Sequence, residues 1–310
     1  MDPSDFLQFS RNPDGSLFRR QVFPLLEPTN TTDAAAGGHP AAVLSKDIPL
    51  NPSLNTSLRL FLPSSSPTKL PLLLFFHAGG FILFNPATSI NHTFCERLAA
   101  SLPALVNSLH HRPGLGDHAD FTRCFLAGSS AGGNIAYHAA LRARELDLGP
   151  IKLSGLILNQ PFFGGEERTE SELRFGGVES SLPLAAAGLM GGVGWVGVEP
   201  PLPLAAADLM WEFALPEGAD RDHEYCNVGA AMKEKGEERV KGLPRCLMLG
   251  FAGDPLVNRQ REVAEMLVRG GIEVVVRIEE GGFHGADIVE PGRIEVMFDR
   301  VREFVNCGGD

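Results

Sequence analysis

Two adjacent serines stand in a glycine-rich stretch, CFLAGSSAGGN, at residues 124–134. A G-x-S-x-G frame fits this stretch in one way only, with Gly128 and Gly132 at its ends and Ser130 at its centre, which leaves Ser129 as a filler position. Where such a frame links a buried strand to a helix, it exposes the central hydroxyl at the carboxyl edge of a sheet. We therefore predict that Ser130 is a nucleophile. The competing interpretation is a glycine-rich helix start that Ser130 only caps.

A serine hydroxyl attacks a carbonyl group only when a base takes its proton, so a histidine must reach the same sheet edge. His284, in EEGGFHGAD, follows the apolar stretch EVVVRI and is flanked by glycines. Other histidines have ordinary structural explanations. His138 lies inside a predicted helix, and several lie in polar loops: His39, His110, His111 and His118. His284 is therefore the predicted base.

A carboxylate must hold the imidazole in its useful tautomer and stabilise its charged form. Asp254, in LMLGFAGDPLVN, directly follows the apolar stretch at residues 246–251, so its side chain is expected at the carboxyl edge of the sheet. Asp287 lies three residues after His284 and is the competing carboxylate, which we assign to the surface. Asp254 is the predicted partner of His284.

Acyl transfer also needs hydrogen-bond donors for the developing oxyanion. The stretch FFHAGGF follows a buried strand and contains Gly79 and Gly80, which lack side chains and can present their backbone N–H groups. The N–H of Ala131, directly after the nucleophile, completes the predicted oxyanion hole. An H-x-G-G motif is weak evidence on its own. Four elements of one mechanism in the correct order are strong evidence for that mechanism.

The elements that must position these residues follow a regular alternation of apolar, strand-length stretches and longer helical segments. Stretches that are apolar on both faces indicate a sheet buried on both sides, and the alternation predicts an α/β fold with a largely parallel sheet. We predict strands at 58–63, 71–77, 104–109, 123–128, 152–160, 246–251 and 273–278, and helices at 88–102, 131–146, 256–270 and 291–305.

Two segments interrupt this alternation. Residues 110–122, HHRPGLGDHADFT, contain a proline and two glycines that exclude a helix, although a parallel crossover normally contains one. This short connection predicts a thinly covered flank of the sheet. The second interruption is a repeat, because LPLAAAGLM at 182–190 returns as LPLAAADLM at 202–210. Two copies are too few for a solenoid, so we interpret them as a local duplication.

Composition narrows the class of protein. The 310-residue chain has a formal net charge of −11, which argues against nucleic acid or an anionic membrane surface as a partner. Five scattered cysteines show none of the close pairs typical of metal or redox sites, and the chain opens with polar and acidic residues. These features favour a cytoplasmic protein with a small-molecule role and buried thiols.

The stretches FFHAGGF, GSSAGGN, DPLVNRQ and GGFHG together resemble the plant carboxylesterase family, in the hormone-sensitive-lipase group of α/β-hydrolases. The stretches PFFGGEERTESE and LPEGADRDHEYCNV are similar to the cap region of that family. The resemblance covers most of the chain, excepting about 110–117 and the duplicated segment. The chain order Ser130, Asp254, His284 is also the order of an α/β-hydrolase triad.

The resemblance implies one α/β-hydrolase domain over residues 1–310, with helices on both faces of the sheet and a small cap formed by about 1–45 and 164–227. It implies a serine carboxylesterase that uses no cofactor or metal and hydrolyses short-chain or small-molecule esters through an acyl-enzyme. The family usually has glycine where this chain has Ala78, and its members carry a longer passage after LPALVNSL.

Two alternatives stay open at this point. The first is a non-catalytic ligand receptor of the gibberellin-receptor type, built on the same fold; that relative characteristically lacks the catalytic histidine, whereas His284 is present here. The second is a truncated family member without activity, because of the short 110–122 connection.

Overall fold

A sheet of eight strands lies at the centre of the part of the chain that the structure describes. The structure is a computed structural model, and it describes residues 2–14, 16–20, 23–29, 42–54, 56–64, 69–102, 104–106, 118–175 and 202–307. The strands are β1 (Phe9–Arg11), β2 (Leu17–Arg19), β3 (Val43–Asn51), β4 (Thr56–Pro63), β5 (Leu70–Phe76), β6 (Leu105–Val106), β7 (Ala119–Ser129), β8 (Leu153–Asn159), β9 (Cys246–Phe251) and β10 (Val274–Glu279).

The order of neighbouring strands in the sheet is β10, β9, β8, β7, β5, β6, β4, β3, and β1 and β2 form a separate antiparallel hairpin. From β10 to β6 all neighbours are parallel, whereas β4 and β3 extend the sheet in antiparallel fashion. The prediction of an α/β fold with a mostly parallel sheet is therefore confirmed. Because the carboxyl ends of parallel strands share one edge, the loops after β5, β7, β8, β9 and β10 meet there.

Helices cover both faces of this sheet. Phe94 and Leu98 of one helix and Phe298 and Val301 of another pack on one face. Tyr137, Val263 and their neighbours from three further helices pack on the opposite face. The helices are α1 (Pro3–Leu7), α2 (Ser89–Ser101), α3 (Ala131–Ala143), α4 (Glu170–Phe175), α5 (Leu204–Ala214), α6 (Val228–Lys235), α7 (Val257–Arg269), α8 (Ala286–Val289) and α9 (Pro291–Asn306).

The predicted central elements coincide with observed ones to within a few residues, with two exceptions at strands. β7 begins at Ala119 rather than at residue 123, because Ala119 and Asp120 already pair with β5 before an irregularity in the register. β6 is only Leu105–Val106, and the remainder of the predicted strand at 104–109 lies partly outside the described residues. The edge strand β3 was not predicted.

The flank beside the short connection has its own small core. Leu70, Leu72, Leu105, Ala119 and Cys124 are buried together there, while side chains around them, such as Leu60 and Leu62, are only partly buried. The described residues place no helix over this cluster, and most of the 110–122 connection lies outside them.

A second layer lies over the carboxyl edge of the sheet. Phe6 and Leu7 of α1, Phe9 of β1 and Met210 and Trp211 of α5 are buried in one cluster with Phe162, which follows β8. α5 begins within the second copy of the duplicated sequence, at 202–210; the first copy, at 182–190, lies outside the described residues. Within the part of the chain described, none of the helices has the length and apolar character needed to span a membrane.

Candidate active site

The turn from β7 into α3 places Ser130 at the carboxyl edge of the sheet. Ser130 has φ 53° and ψ −120°, a conformation that is sparsely populated for a residue with a side chain. The turn is tight because its glycines allow backbone to approach backbone: a Cβ at Gly132 would lie 1.9 Å from the carbonyl oxygen of Phe76, and one at Gly128 would lie 2.1 Å from that of Gly132. The two glycines of the predicted frame are thus required by the geometry.

Ser130, His284 and Asp254 form one hydrogen-bonded row. His284 Nε2 lies 2.8 Å from Ser130 Oγ, and His284 Nδ1 lies 2.9 Å from Asp254 Oδ2. With Nδ1 protonated and donating to the carboxylate, Nε2 carries the lone pair that accepts the serine proton. Sequence reasoning had assigned these three residues to three different loops, and the structure brings them together.

The carboxylate of Asp254 is fixed independently of the imidazole. Its Oδ1 accepts the backbone N–H of Leu256 at 2.8 Å, and its Oδ2 also accepts from the side-chain amide of Gln260 at 2.8 Å. Asp254 and Gln260 are both completely buried. A buried carboxylate needs hydrogen bonds to its oxygens, and these bonds hold Asp254 in its orientation toward His284.

Opposing influences set the pKa of His284. Burial of the ring disfavours its charged form and lowers the pKa, but the charge and hydrogen bond of Asp254, helped by the charge of Asp287, raise it more strongly. The net pKa lies above the ordinary value for histidine. The imidazole is therefore a stronger base than a free histidine, which suits proton removal from a serine.

The other histidines of the described chain show no comparable row. Burial lowers the pKa of His138 to about 4, so this side chain is neutral. His118 is exposed, and the pKa of His77 is lowered by burial while its Nδ1 contacts the carbonyl oxygen of Ala78. His39, His110 and His111 lie outside the described residues.

The loop after β5 carries the predicted oxyanion donors. Gly79 and Gly80 have φ values of 123° and 56°, so they use conformations that favour glycine. Ala78 is not among the residues with positive φ, and the alanine at this position therefore causes no backbone strain. Phe81 does have a positive φ, of 68°, which sequence reasoning did not anticipate. Ala131 is buried at the start of α3, where its N–H has no partner within the helix.

A cavity of about 140 Å³ lies in front of Ser130 and His284. Gly79, Gly80 and Ser130 all line it, as the predicted oxyanion hole requires. Most of the wall is apolar, and no lysine or arginine contributes to it within the described chain. Its largest apolar side chains are Phe6, Phe23, Phe84, Phe162 and Phe283.

The assignment of Asp287 to the surface is wrong. Its side chain is 1 % exposed and accepts hydrogen bonds from the amides of Asn159 and Gln160. Burial raises the pKa of this carboxyl above its ordinary value, although those two bonds and the charge of His284 oppose the effect. Sequence reasoning missed Asn159 and Gln160 as well, although Asn159 ends the buried strand β8 and Gln160 directly follows it. The polar pair at the end of LILNQ was the available signal.

Comparisons with known proteins identify the fold and the family of this chain. Residues 107–288 match the model of a family with the α/β-hydrolase fold. The chain is 37 % identical to 3-O-acetylpapaveroxine carboxylesterase CXE2 of Papaver somniferum, over an alignment covering 98 % of the chain and 99 % of that relative. It is 36 % identical to carboxylesterase 20 of Arabidopsis thaliana, with 98 % of the chain and 96 % of the relative covered.

Solved structures share the fold at lower sequence identity. Brefeldin A esterase, described as a bacterial homologue of human hormone-sensitive lipase, superposes with a TM-score of 0.63 at 20 % identity, covering 85 % of this chain and 76 % of that one. A thermostable esterase from Pseudomonas putida superposes with a TM-score of 0.64 at 20 % identity, covering 85 % and 82 %. From the nearly full-length relatives and the shared fold it follows that the chain belongs to the plant carboxylesterase family of α/β-hydrolases.

Proposed function

We propose that this carboxylesterase hydrolyses small, uncharged esters through an acyl-enzyme on Ser130. The observation that carries the proposal is the hydrogen-bonded row from Ser130 Oγ through the His284 ring to the buried carboxylate of Asp254. A receptor without catalysis does not need this arrangement, and neither does a serine that only caps a helix.

Acylation begins when Ser130 Oγ attacks the ester carbonyl carbon and its proton passes to His284 Nε2. Asp254 stabilises the imidazolium that results. The tetrahedral oxyanion accepts hydrogen bonds from the backbone N–H groups of Gly79, Gly80 and Ala131, a contribution typically worth about 3–4 kcal/mol per donor. When the intermediate collapses, Nε2–H gives its proton to the leaving alcohol, and the acyl group stays on Ser130.

Deacylation repeats these steps with water. His284 Nε2 takes a proton from the water as its oxygen attacks the acyl carbon, and the same donors bind the second oxyanion. The proton then returns to Ser130 Oγ as the C–O bond to the serine breaks and the carboxylic acid leaves. The cycle needs no group beyond these side chains, the backbone donors and water.

The cavity supports compact, uncharged substrates. Its aromatic and aliphatic wall offers no cation to pair with an anionic ester, and burial of such a charge without a partner is costly. The limited volume favours short acyl groups over long chains.

The layer over the sheet edge forms the cap of this enzyme in our proposal. Phe6 from the N-terminal segment and Met210 from α5 both line the cavity and are buried together. Each comes from one of the two segments, about 1–45 and 164–227, that the sequence assigns to the cap. Both segments then contribute to substrate recognition.

A panel of p-nitrophenyl esters tests the function. The purified chain should hydrolyse acetyl and butyryl esters with higher kcat/KM than octanoyl or longer esters, and Ser130→Ala should reduce all of these rates to the background. A wild-type chain that melts cooperatively but hydrolyses none of the esters would contradict the proposal and favour a receptor-like role.

A cytoplasmic location is part of the same proposal. The cysteines of the described residues are all free thiols, four of them buried, which suits a reducing compartment. Imaging of a fluorescent fusion in plant cells would test this location.

A further inference from the structure

A buried network of side-chain amides surrounds the Asp287 carboxylate beside the Ser130–His284 pair. Asn159 Nδ2 donates to Asp287 Oδ2, and Gln160 Nε2 donates to Asp287 Oδ1. Asn159, Gln160 and Asp287 are 5 %, 2 % and 1 % exposed. A carboxylate buried to this degree is tolerated because both of its oxygens are hydrogen-bonded, so the network acts as one unit.

Each amide of the network also contacts a chain neighbour of a reacting residue. Asn159 Nδ2 donates to Ser129 Oγ at 2.9 Å, one residue before the nucleophile. Gln160 Oε1 accepts the backbone N–H of Gly285 at 2.8 Å, one residue after His284. The network therefore joins the loop that carries the nucleophile to the loop that carries the base.

Two backbone features suit this joint. Gln160 has φ 45°, an unfavourable conformation for a residue with a side chain, which persists only where the surroundings impose it. The loop around His284 contains Gly281, Gly282 and Gly285, all with positive φ, so local backbone preferences alone restrict it weakly. Contacts from neighbouring segments hold it instead: the backbone after β9 donates to the carbonyl oxygen of Gly281, and Gln160 accepts from Gly285, next to the base.

We infer that Gln160 is a positioning residue for His284, with Asp287 as its anchor. Its amide oxygen holds the backbone directly after His284, and its amide nitrogen is held in turn by Asp287. The inference rests on the proposed esterase function. A shift of the imidazole by about 1 Å can reduce catalysis about 100-fold, so a contact that fixes His284 affects the chemical steps more than substrate binding.

An exchange of two residues provides the sharpest test. Gln160→Glu keeps an acceptor for the N–H of Gly285 but sets a second carboxylate against Asp287. The double variant Gln160→Glu/Asp287→Asn restores every hydrogen bond. In it, the carboxylate at position 160 can accept from both Gly285 and the new amide at position 287, while the oxygen of that amide still accepts from Asn159. Gln160→Met removes both contacts of the amide at nearly constant volume and serves if Gln160→Glu does not fold.

The measured quantities are kcat and KM for p-nitrophenyl acetate, with active sites counted by a fluorophosphonate probe. We expect Gln160→Glu and Gln160→Met to lose at least about tenfold in kcat while KM changes less than about threefold, and the double variant to recover most of the loss. A purely structural role would lower the melting temperature or the number of active sites without lowering kcat per active site. Either that result, or a double variant as slow as Gln160→Glu, would overturn the inference.

Asp47→Asn is the matched control. It makes the same chemical change in the edge strand β3, where the carboxylate of Asp47 pairs with the buried Arg59 on β4. It should lower the melting temperature and leave kcat per active site unchanged. Failure of the proposed function would be seen separately, as an inactive wild type or as full activity in Ser130→Ala.

Discussion

Ser129 and Ser130 carry the same hydroxyl one residue apart, but the backbone directs them to different partners. The positive φ of Ser130 turns its side chain to His284, whereas Ser129 ends β7 and meets the amide of Asn159. We expect Ser130→Ala to lose at least about 10³-fold in kcat, because triad members act as a unit, and Ser129→Ala to keep most of the activity.

Labelling by a serine-directed fluorophosphonate probe, followed by peptide mapping, checks this difference. The probe should modify wild type and Ser129→Ala at Ser130 only, and should leave Ser130→Ala unmodified. Equal losses of activity from the two substitutions would contradict the assignment of the nucleophile.

The pH dependence of the reaction is also set by a single residue. Only the neutral ring of His284 can take the serine proton, and its pKa lies above the ordinary value of 6.5. The rate constant kcat/KM should therefore fall as the pH falls through a midpoint above 6.5. Asp254→Asn removes the charge that raises this pKa, so the midpoint should move to lower pH while the plateau rate falls, on the order of 10⁴-fold by analogy with other triads. A midpoint that stays in place in Asp254→Asn would show that another group controls the profile.

The two aspartates show how far residues could be read from the sequence. Asp254 directly follows a buried strand, and parallel strands deliver such residues to one edge, so its place was predictable. Asp287 follows a glycine-rich loop with no periodicity, and its burial depends on two amides more than 120 positions earlier in the chain. A long-range hydrogen bond leaves no local pattern in the sequence.

At the scale of elements, hydrophobic patterning found the strands that are buried on both faces. It missed β3, because this edge strand has mostly exposed side chains and contains Pro49, a residue that edge strands tolerate. It also missed α5, which packs against α1 and Phe162 rather than on the faces of the sheet. Hydrophobic patterning indicates burial against the main core, so it does not identify elements that pack elsewhere.

The duplicated sequence gives a matched pair of deletions that test what α5 needs. Removal of residues 182–201 keeps the second copy, and removal of 191–210 keeps the first. The two products differ at one position, which is Asp208 in the first product and Gly188 in the second. In the structure Asp208 pairs with Arg168 and Arg221.

We expect the first deletion to change the free energy of unfolding by only about 1 kcal/mol, since the entropy of loop closure varies slowly with length. The second should be less stable than the first by about 1–2 kcal/mol, from a glycine inside a helix and a lost, partly exposed ion pair. Melting curves of both proteins measure the difference. Collapse of the fold in the first deletion would show that the removed copy is structural. Equal stabilities of the two products would show that Asp208 does not make the second copy more stable than the first in this position.

At the scale of the whole molecule, this chain lacks residues that a relative carries. The alignment with the poppy carboxylesterase spans 347 positions, more than the 310 residues of the chain, so that relative carries residues that are absent here. The family resemblance locates a longer passage between β6 and β7. Among the described residues of this region, β6 has two residues and lies between β5 and β4 in the sheet.

A graft tests whether the short connection limits stability. Residues 107–117 would be replaced by the corresponding, longer segment of the poppy relative. A helix in this crossover would bury the partly exposed Leu60 and Leu62 beside the small cluster around Leu72. Full burial of two leucines is worth about 3–6 kcal/mol relative to exposure, so with both already half-buried we expect a gain of roughly 2–3 kcal/mol. For a domain of this size that corresponds to a rise in the melting temperature of about 3–5 °C.

A flexible Gly/Ser insertion of equal length is the control for the graft, because it lengthens the connection without an apolar face. It should lower the melting temperature slightly, by the entropy of a longer loop. Circular dichroism and melting curves of the three proteins decide the question. If the graft is no more stable than the Gly/Ser insertion, the native connection already covers this flank of the sheet, and the short segment is a variation that the fold tolerates without loss.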